Sequence, residues 1–264
     1  MEQRTRRSGT WGNGMNNLPD QAHQRFSIQA GWGDALRRYL FGRLNLTTGE
    51  RVLETGCGTG AVLAGLNDYT QGMTFGLDIN PPYLHFARKL QPQAALTAGN
   101  ALQLPFPGGA FAAVYCHFFL LWLPDPAAAL AEMLRVIRPG GAVLALAEPD
   151  YGGRIDYPEE LAGLGNLQAI ALQHQGADPE LGRRLPELFH AAGLKKVENG
   201  VLGGQWTHPI DQRAWQSEWD TLEQDLSGLV EPKRIAALRR MDAEAWQAGR
   251  RVLFVPTFYA IGIK

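Results

Sequence analysis

The sequence lacks three features that would narrow its class at once: cysteine clusters, long apolar runs and an excess of charge of one sign. Its 264 residues include two cysteines, Cys57 and Cys116, so neither a disulfide scaffold nor a cysteine zinc site is expected. No constellation of metal ligands stands out, and we predict no metal. The apolar runs are too short to span a bilayer.

The charges almost cancel, with 25 Lys and Arg against 26 Asp and Glu. A balanced chain has no electrostatic footprint for a polyanion, which argues against a nucleic-acid partner. The early arginines Arg4, Arg6 and Arg7 precede Gly, Asn and Pro rather than the apolar core of a signal peptide. We therefore predict a cytoplasmic protein in which residues 1–18 form a mobile tail. The oligomeric state is left open.

What the sequence does have is a regular alternation of apolar runs and amphipathic segments. The predicted strands are 51–54, 73–79, 94–99, 111–118 and 142–148. Asn80 and Asp125 each precede proline, a pattern typical of a helix N-cap. Alternating strands and helices predict an α/β fold with a parallel sheet covered on both faces.

The remaining segments complete this outline. We predict helices in 19–46, 61–66, 182–193 and 209–249, a sixth strand at 196–202 and a final strand at 252–263. The chain then divides into a cofactor-binding core at 19–149, a region at 150–250 that adds lid insertions to the core, and the last core strand at 251–264. Long insertions beside a ligand-binding edge commonly form lids.

Polar side chains recur at the carboxyl ends of the predicted strands. They are Glu54, Asp78, Asn100, His117 and Glu148. Buried parallel strands have no use for charge in their interiors, and α/β folds bind ligands at the carboxyl edge of the sheet. The five positions together predict a ligand site at that edge.

A glycine-rich turn follows the first strand and contains Gly56, Gly58 and Gly60. Such a turn brings bare backbone amides against a ligand. Its spacing also fits the dinucleotide fingerprint, so an NAD-type oxidoreductase stays open. Glu54 opposes that alternative, because a carboxylate repels a pyrophosphate and attracts a cationic amino group. Cys57 is interpreted as a small residue that fills the turn.

The stretch from Glu54 to Gly60, read as E-x-G-x-G-x-G, resembles the first motif of class I S-adenosylmethionine-dependent methyltransferases. Gly99-Asn100-Ala101 with Leu104-Pro105-Phe106 is similar to the G-D-A and L-P-F segments of the same family. The resemblance covers roughly residues 25–149 and is nearest to the small-molecule branch that includes ubiquinone and menaquinone biosynthesis methyltransferases. It implies a Rossmann-like, seven-stranded, mostly parallel sheet with helices on both faces, a reversed final hairpin and a helical lid.

The resemblance also implies roles for individual residues. Glu54 would orient the amino group of S-adenosylmethionine, and Asp78 would bind its ribose hydroxyls. Asn100 stands where the family usually has Asp, and would recognise adenine without a charge. The remaining expected cofactor contacts are Gly56, Cys57 and Gly58 at the methionine part, Ile79 and Ala101 at adenine, His117 beside the cofactor, and Arg25 at its carboxylate.

The catalytic residues stay unassigned at this stage. Candidates are His117, Glu148, Asp150 and Tyr151, each of which has a structural explanation as well. The tryptophans Trp206, Trp215, Trp219 and Trp246 would either pack the lid or line the pocket.

The predicted reaction is an in-line methyl transfer to O, N or C of a small, apolar or aromatic acceptor. A protein that binds S-adenosylmethionine without catalysis is the remaining alternative to this transferase and to the oxidoreductase.

Overall fold

The computed structural model describes residues 18–44, 46–68, 73–203 and 209–264 of the chain. Most of the predicted tail and Trp206 therefore lie outside the described residues. The elements are α1 Pro19–Trp32, α2 Asp34–Arg43, β1 Arg51–Thr55, β2 Met73–Asp78, α3 Pro81–Leu90, β3 Ala95–Ala98, β4 Phe111–Cys116, α4 Pro126–Val136, β5 Ile137–Pro149, β6 Ile155–Tyr157, α5 Leu164–His174, α6 Leu181–Ala191, β7 Lys195–Leu202, α7 Gln212–Leu226, α8 Pro232–Gln247, β8 Val252–Phe254 and β9 Thr257–Ile263.

The main sheet has seven strands in the order β3-β2-β1-β4-β5-β9-β7. The first five run parallel, and β9 is antiparallel to both β5 and β7. The predicted seven-stranded, mostly parallel sheet with a reversed end is thus confirmed. Its carboxyl edge collects the ends of β1, β2, β3 and β4 on one side of the molecule.

Both faces of the sheet are covered because successive residues of each strand point to opposite sides. Leu53 and Val114 belong to one apolar core, whereas their neighbours Val52 and Ala113 belong to the other. In β4 every residue is buried, which explains its uninterrupted apolar sequence. The sheet is therefore a rigid floor on which the polar strand ends are fixed.

The two predicted N-caps are confirmed. The side chain of Asn80 accepts a hydrogen bond from the backbone N–H of Tyr83 at 3.2 Å, and Asp125 accepts one from Ala128 at 2.9 Å. Each cap satisfies a donor that the first helical turn leaves without a partner. The caps fix where α3 and α4 leave the carboxyl edge of the sheet.

Three predicted segments differ in the structure. The predicted helix at 61–66 is instead a turn followed by a 3-10 helix at Leu63–Asp68, a stretch interrupted by Gly65, which disfavours α-helix. The predicted helix at 19–46 is two helices that separate at Gly33. The predicted strand at 252–263 is divided at Pro256, which lacks a backbone donor; β8 pairs with β6 in a second, two-stranded sheet, so residues 251–264 do not all belong to the core sheet.

Helices α5, α7 and α8, with the two-stranded sheet of β6 and β8, form the lid, whose helices have an apolar core of their own. Its centre is Trp219, which packs with residues such as Leu164 and Leu238. Trp215 and Trp219 both donate their indole N–H to Asp242, at 2.6 and 2.9 Å. These two tryptophans therefore pack and fasten the lid rather than line a pocket.

Candidate active site

A large cleft lies over the carboxyl edge of the sheet. It is bounded by the ends of β1, β2 and β4, by α1 on one side and by α5 and α7 of the lid on the other. The space within it, together with the open solvent at its mouth, amounts to about 1410 Å³.

All ten of the predicted cofactor contacts line this cleft. They are Arg25, Glu54, Gly56, Cys57, Gly58, Asp78, Ile79, Asn100, Ala101 and His117. Tyr151, one of the candidate catalytic residues, lines it as well. Residues that are far apart in the sequence thus meet at one edge, as the strand-end pattern indicates.

The glycine turn has the left-handed backbone that its sequence requires. Gly56 and Gly58 have φ values of +72° and +51°. A Cβ on Gly56 would clash with the ring of Phe119, and one on Gly58 would lie 3.1 Å from Phe26 of α1. Glycine is needed here for both conformation and close approach.

Glu54 is buried at the floor of the cleft. The hydroxyl of Tyr115 donates a hydrogen bond to its carboxylate at 3.0 Å. Burial raises the pKa of Glu54 to about 8, while the hydrogen bond from Tyr115 and the positive charge of Arg37 act in the opposite direction. The group is therefore poised to ionise when a cation arrives.

Asp78 is also buried, and it fastens the glycine turn to the end of β2. Its carboxylate accepts the backbone N–H of Gly58 at 2.7 Å and that of Asn80 at 2.8 Å. Burial raises the pKa of Asp78, and the backbone hydrogen bonds partly offset this. A carboxylate has about four acceptor positions, so it can take further donors from a ligand.

Asn100 and Ile79 stand at the more open end of the cleft. The side-chain oxygen of Asn100 accepts the backbone N–H of Leu102 at 2.9 Å, which orients the amide. Ile79 leaves 38% of its surface exposed, a large apolar side chain with no full cover. Together they offer a polar edge and an apolar face to a flat group.

Buried polar atoms without a partner are rare in folded proteins, and each calls for an explanation. In the part of the chain that the structure describes, four side-chain atoms are of this kind: Arg25 Nε, Arg37 Nε, Tyr83 Oη and His117 Nε2. Three of the four, all except Arg37, belong to residues that line the cleft. A ligand in the cleft is the simplest source of the missing hydrogen bonds.

His117 is held neutral by its surroundings. Burial lowers the pKa of His117 to about 3, and the charge of Arg37 acts in the same direction. A base whose conjugate acid has so low a pKa removes protons poorly near neutral pH. The side chain is better suited to a hydrogen bond than to general-base catalysis.

Glu148 and Asp150 do not line the cleft, which corrects the expectation that they hold an acceptor. The Glu148 carboxylate turns under the loop after β4 and accepts the backbone N–H groups of Phe119, Leu120 and Leu121 at 2.9, 3.0 and 3.3 Å. Asp150 pairs with Arg183. Both carboxylates hold the loops around the cleft in place.

The sequence reasoning missed several residues that shape the site. Arg37 is buried in α2 and donates to Ala30 O at 2.7 Å and to Asp34 at 3.1 Å. From the lid, Gln175 and Asp225 reach the cleft and are joined by a hydrogen bond of 2.9 Å. Nothing local in the sequence marks these residues, because only the tertiary fold brings them to the cleft.

Helix α1 is fastened to the glycine turn. His23 and Thr59 are joined by a side-chain hydrogen bond of 3.0 Å, and the ring of Phe26 lies edge-on to Tyr83 of α3 at 5.9 Å. This arrangement closes one side of the cleft. Among the described residues, no group of His, Cys, Asp and Glu is arranged to hold a metal ion, and none of their helices is long and apolar enough to cross a bilayer.

The fold and cleft define a Rossmann-like α/β protein with a glycine turn, an acid at the end of β1 and a second acid at the end of β2. A family model described as a methyltransferase domain matches residues 53–145. The demethylmenaquinone methyltransferase of Oceanobacillus iheyensis is 32% identical over 177 residues, which cover 59% of this chain and 74% of that enzyme. The chain belongs to the class I S-adenosylmethionine-dependent methyltransferases.

Solved structures agree in fold. A putative methyltransferase from Haloferax volcanii, in complex with its Trm112 activator, superposes with a TM-score of 0.59 at 20% identity, covering 97% of this chain and 99% of that one. A Haemonchus contortus phosphoethanolamine N-methyltransferase with bound S-adenosylhomocysteine gives a TM-score of 0.56 at 16% identity. The match covers 84% of this chain and half of that one. None of these relatives supports the dinucleotide alternative.

Proposed function

We propose that the cleft binds S-adenosylmethionine and that the protein transfers its methyl group to a small molecule. The observation that carries this proposal is that three residues with an unsatisfied buried polar atom, Arg25, Tyr83 and His117, line one cleft beside a glycine turn. Leaving such atoms without partners costs about 1–3 kcal/mol each. A polar, nucleoside-containing ligand would supply the missing bonds.

Asp78 is our assignment for the ribose. Its two oxygens already accept backbone N–H groups on the protein side, and the remaining acceptor positions suit a pair of vicinal hydroxyls. The same hydrogen bonds prevent the carboxylate from rotating away. The ribose would thus meet a fixed acceptor rather than a flexible surface side chain.

Glu54 is our assignment for the cofactor's amino group. A cation beside a buried carboxyl favours its ionised form, so binding would lower the pKa of Glu54 from about 8 and release a proton. A pyrophosphate would have the opposite effect and would be repelled. This is the electrostatic reason for preferring S-adenosylmethionine to NAD. Gly56, Cys57 and Gly58 would flank the methionine part.

Adenine would lie at the open end of the cleft. Ile79 and Ala101 offer apolar contact to its faces, and Asn100 offers a side-chain oxygen to its amino group. That oxygen also accepts from Leu102, so its hold on adenine would be weaker than that of a carboxylate.

When bound, S-adenosylmethionine supplies a methyl group activated by a positively charged sulfur. The chain's own residues would position the acceptor and exclude water. Phe118, Phe119 and Leu172 give the cleft an apolar wall for this purpose. Burial lowers the pKa of His117 to about 3, so this side chain is a weak candidate for the group that takes the acceptor's proton.

Calorimetry with S-adenosylhomocysteine and with NADH tests the proposal. We expect micromolar binding of the former and none of the latter, with one site per chain. Binding of NADH alone would overturn the assignment. Binding of S-adenosylhomocysteine by wild type and its loss in Tyr83→Phe and His117→Ala would tie the unsatisfied atoms to the cofactor.

For the acceptor, we propose an aromatic small molecule. The apolar, aromatic wall of the cleft supports this, as does the similarity to the demethylmenaquinone methyltransferase of Oceanobacillus iheyensis. The test is methyl transfer from S-adenosylmethionine to a short-chain demethylmenaquinol, followed by mass spectrometry. A methylated quinol is the expected product. Turnover of an aliphatic amine without turnover of quinols or phenols would contradict the proposed class.

A further inference from the structure

A second, smaller cavity adjoins the cleft between α1 and α7. The space within it, together with the open solvent at its mouth, amounts to about 500 Å³, and its walls include Ile28, Trp32 and Val255. Five residues line both cavities: Arg25, Gln29, Phe118, Tyr151 and Thr221. The two spaces therefore share a wall that these five residues contribute to.

Phe118 is the unusual residue among the five that line both cavities. Its φ is +50°, a left-handed conformation that a bulky residue rarely adopts. Among the described residues, only Lys196, at +48°, shares this feature without being glycine. Such strain persists only where the surroundings determine the conformation, and it is found most often at functional sites.

The surroundings of Phe118 do determine its conformation. Its backbone N–H donates to Ala147 O at 2.7 Å, and the next three N–H groups are held by the buried Glu148 carboxylate. The turn is thereby fixed against β5. Glu148 is therefore a positioning residue for this loop, and its hydrogen bonds explain why a carboxylate is buried here.

Phe118 belongs to the wall that the two cavities share. Its ring lies 6.1 Å from that of Trp32 and 5.1 Å from that of His117. Trp32 is 54% exposed, although it is a large apolar side chain on the wall of a cavity. Three aromatic residues, Trp32, Phe118 and Tyr151, thus line the smaller cavity, together with the charged residues Arg25 and Glu218 and the polar residues Gln29, Gln168, Ser217, Thr221 and Thr257.

We propose that the smaller cavity is a subsite for a flat aromatic part of the acceptor and that Phe118, as the partition, sets the size of ring accepted. This rests on the proposed function. Aromatic rings attract one another edge to face and when offset, so these walls favour an aromatic ring over a saturated one of the same size. The cofactor would occupy the other side of Phe118.

Calorimetry on the full chain, saturated with S-adenosylhomocysteine, tests this proposal with three probes. They are 2-naphthol, its saturated counterpart decahydro-2-naphthol, and the three-ring 2-anthrol. We expect wild type to bind 2-naphthol at least fivefold more tightly than either of the others. The saturated probe would lack the aromatic contact, and the three-ring probe would meet Phe118.

The variants are Phe118→Ala, Phe118→Gly and, as the matched control, Lys196→Gly. Both Phe118 variants should bind 2-naphthol about tenfold more weakly and 2-anthrol about tenfold more tightly than wild type, because the cavities merge. Lys196→Gly relieves similar backbone strain in β7 and should change the affinity for neither probe. Both glycine variants should melt at or above the wild-type temperature, which shows that the fold is intact.

Each contrary result has a distinct meaning. Equal affinity of wild type for all three probes, or no binding of any, would overturn the subsite. Unchanged probe affinities in both Phe118 variants would overturn the partition. If the Phe118 variants lose S-adenosylhomocysteine, the residue belongs to the cofactor site and the proposal fails. If wild type itself does not bind S-adenosylhomocysteine, the proposed function fails instead.

Discussion

Buried carboxylates occur both in the sheet core and in the lid, but they are satisfied differently. In the core, Glu54 accepts from a tyrosine hydroxyl, and Asp78 accepts from backbone N–H groups. In the lid, Asp156 pairs with the buried Arg154 at 2.8 Å and with Arg251 at 2.6 Å. Asp242 pairs with Arg251 and accepts from two tryptophans.

The difference lies in the partners: the donors to Glu54 and Asp78 are neutral, and burial raises the pKa of each. Glu148 is satisfied by neutral donors as well but lies beneath the loop after β4, so neutral partners alone do not mark a binding carboxylate. Glu54 and Asp78 are set apart because they also line the cleft. These groups gain when a ligand brings a cation or hydroxyls. In the lid, arginine already compensates the charge, so a ligand has nothing to add. The network there joins β6, β8 and α8.

The largest effect should come from the lid. Arg251→Met removes the cation shared by Asp156 and Asp242, and it should lower the free energy of unfolding by about 3–5 kcal/mol in denaturant titrations, because two buried charges lose a partner. The control is Arg240→Met on α8, whose pair with Glu244 is exposed; it should cost less than about 0.5 kcal/mol. Equal losses in the two variants would remove the distinction.

The next effect concerns the core. Asp78→Ala should weaken the binding of S-adenosylhomocysteine by about 1.5–3 kcal/mol, roughly 10- to 150-fold, because charge-assisted hydrogen bonds are lost. Asp78→Asn keeps one acceptor oxygen and should fall between this variant and wild type. Calorimetry measures both, and circular dichroism checks the fold. Unchanged affinity in Asp78→Ala would remove the ribose assignment.

The ionisation of Glu54 should appear in the pH dependence of the free energy of unfolding. Its pKa is raised from 4.5 to about 8 in the folded chain, so between these values the folded state binds more protons than the unfolded one. Stability linked to this group is therefore complete below about pH 4.5 and is lost as pH rises through 8. Glu54→Gln should match wild type at pH 4 and exceed it by about 1–3 kcal/mol at pH 8.5.

Denaturant titrations at the two pH values measure this difference. The same substitution should weaken S-adenosylhomocysteine at pH 8 despite the higher stability. A variant that is less stable than wild type at both pH values would show that Glu54 is a structural group like those of the lid.

The smallest effect is expected at Asn100. Asn100→Asp introduces a carboxylate at this position, and Leu102 can still donate to it. We expect S-adenosylhomocysteine to bind about threefold more tightly, since hydrogen bonds to charged acceptors are stronger. Competition of adenosine with S-adenosylhomocysteine measures the affinity for the nucleoside part alone. Weaker binding of both ligands would contradict the placement of adenine.

The core could be predicted from the sequence because its signals are local. Apolar runs predicted the strands, and Asn80 and Asp125 predicted where two helices begin. The glycines after β1 predicted a turn at that point. Of the five polar strand-end residues, the structure places all but Glu148 on the cleft. Glu148 differs because the loop after β4 supplies three backbone donors beneath the cleft, which no pattern in β5 indicates.

The lid could not be predicted in the same way. Arg251 meets Asp156 across 95 positions of sequence, and in the sequence both look like ordinary surface charges. The pairing of β6 with β8 is also long-range and only three residues long. Phe118 carries no sequence signal at all, since its strain is imposed by Ala147 and Glu148.

The position of β9 governs the order in which the sheet can be assembled. It follows every other element in the chain, yet it lies between β5 and β7 and pairs with both. Strand β7 consequently has no neighbour in the sheet until β9 has arrived. During synthesis, the strands β1 to β5 can pair early, whereas β7 must wait until β9 has left the ribosome.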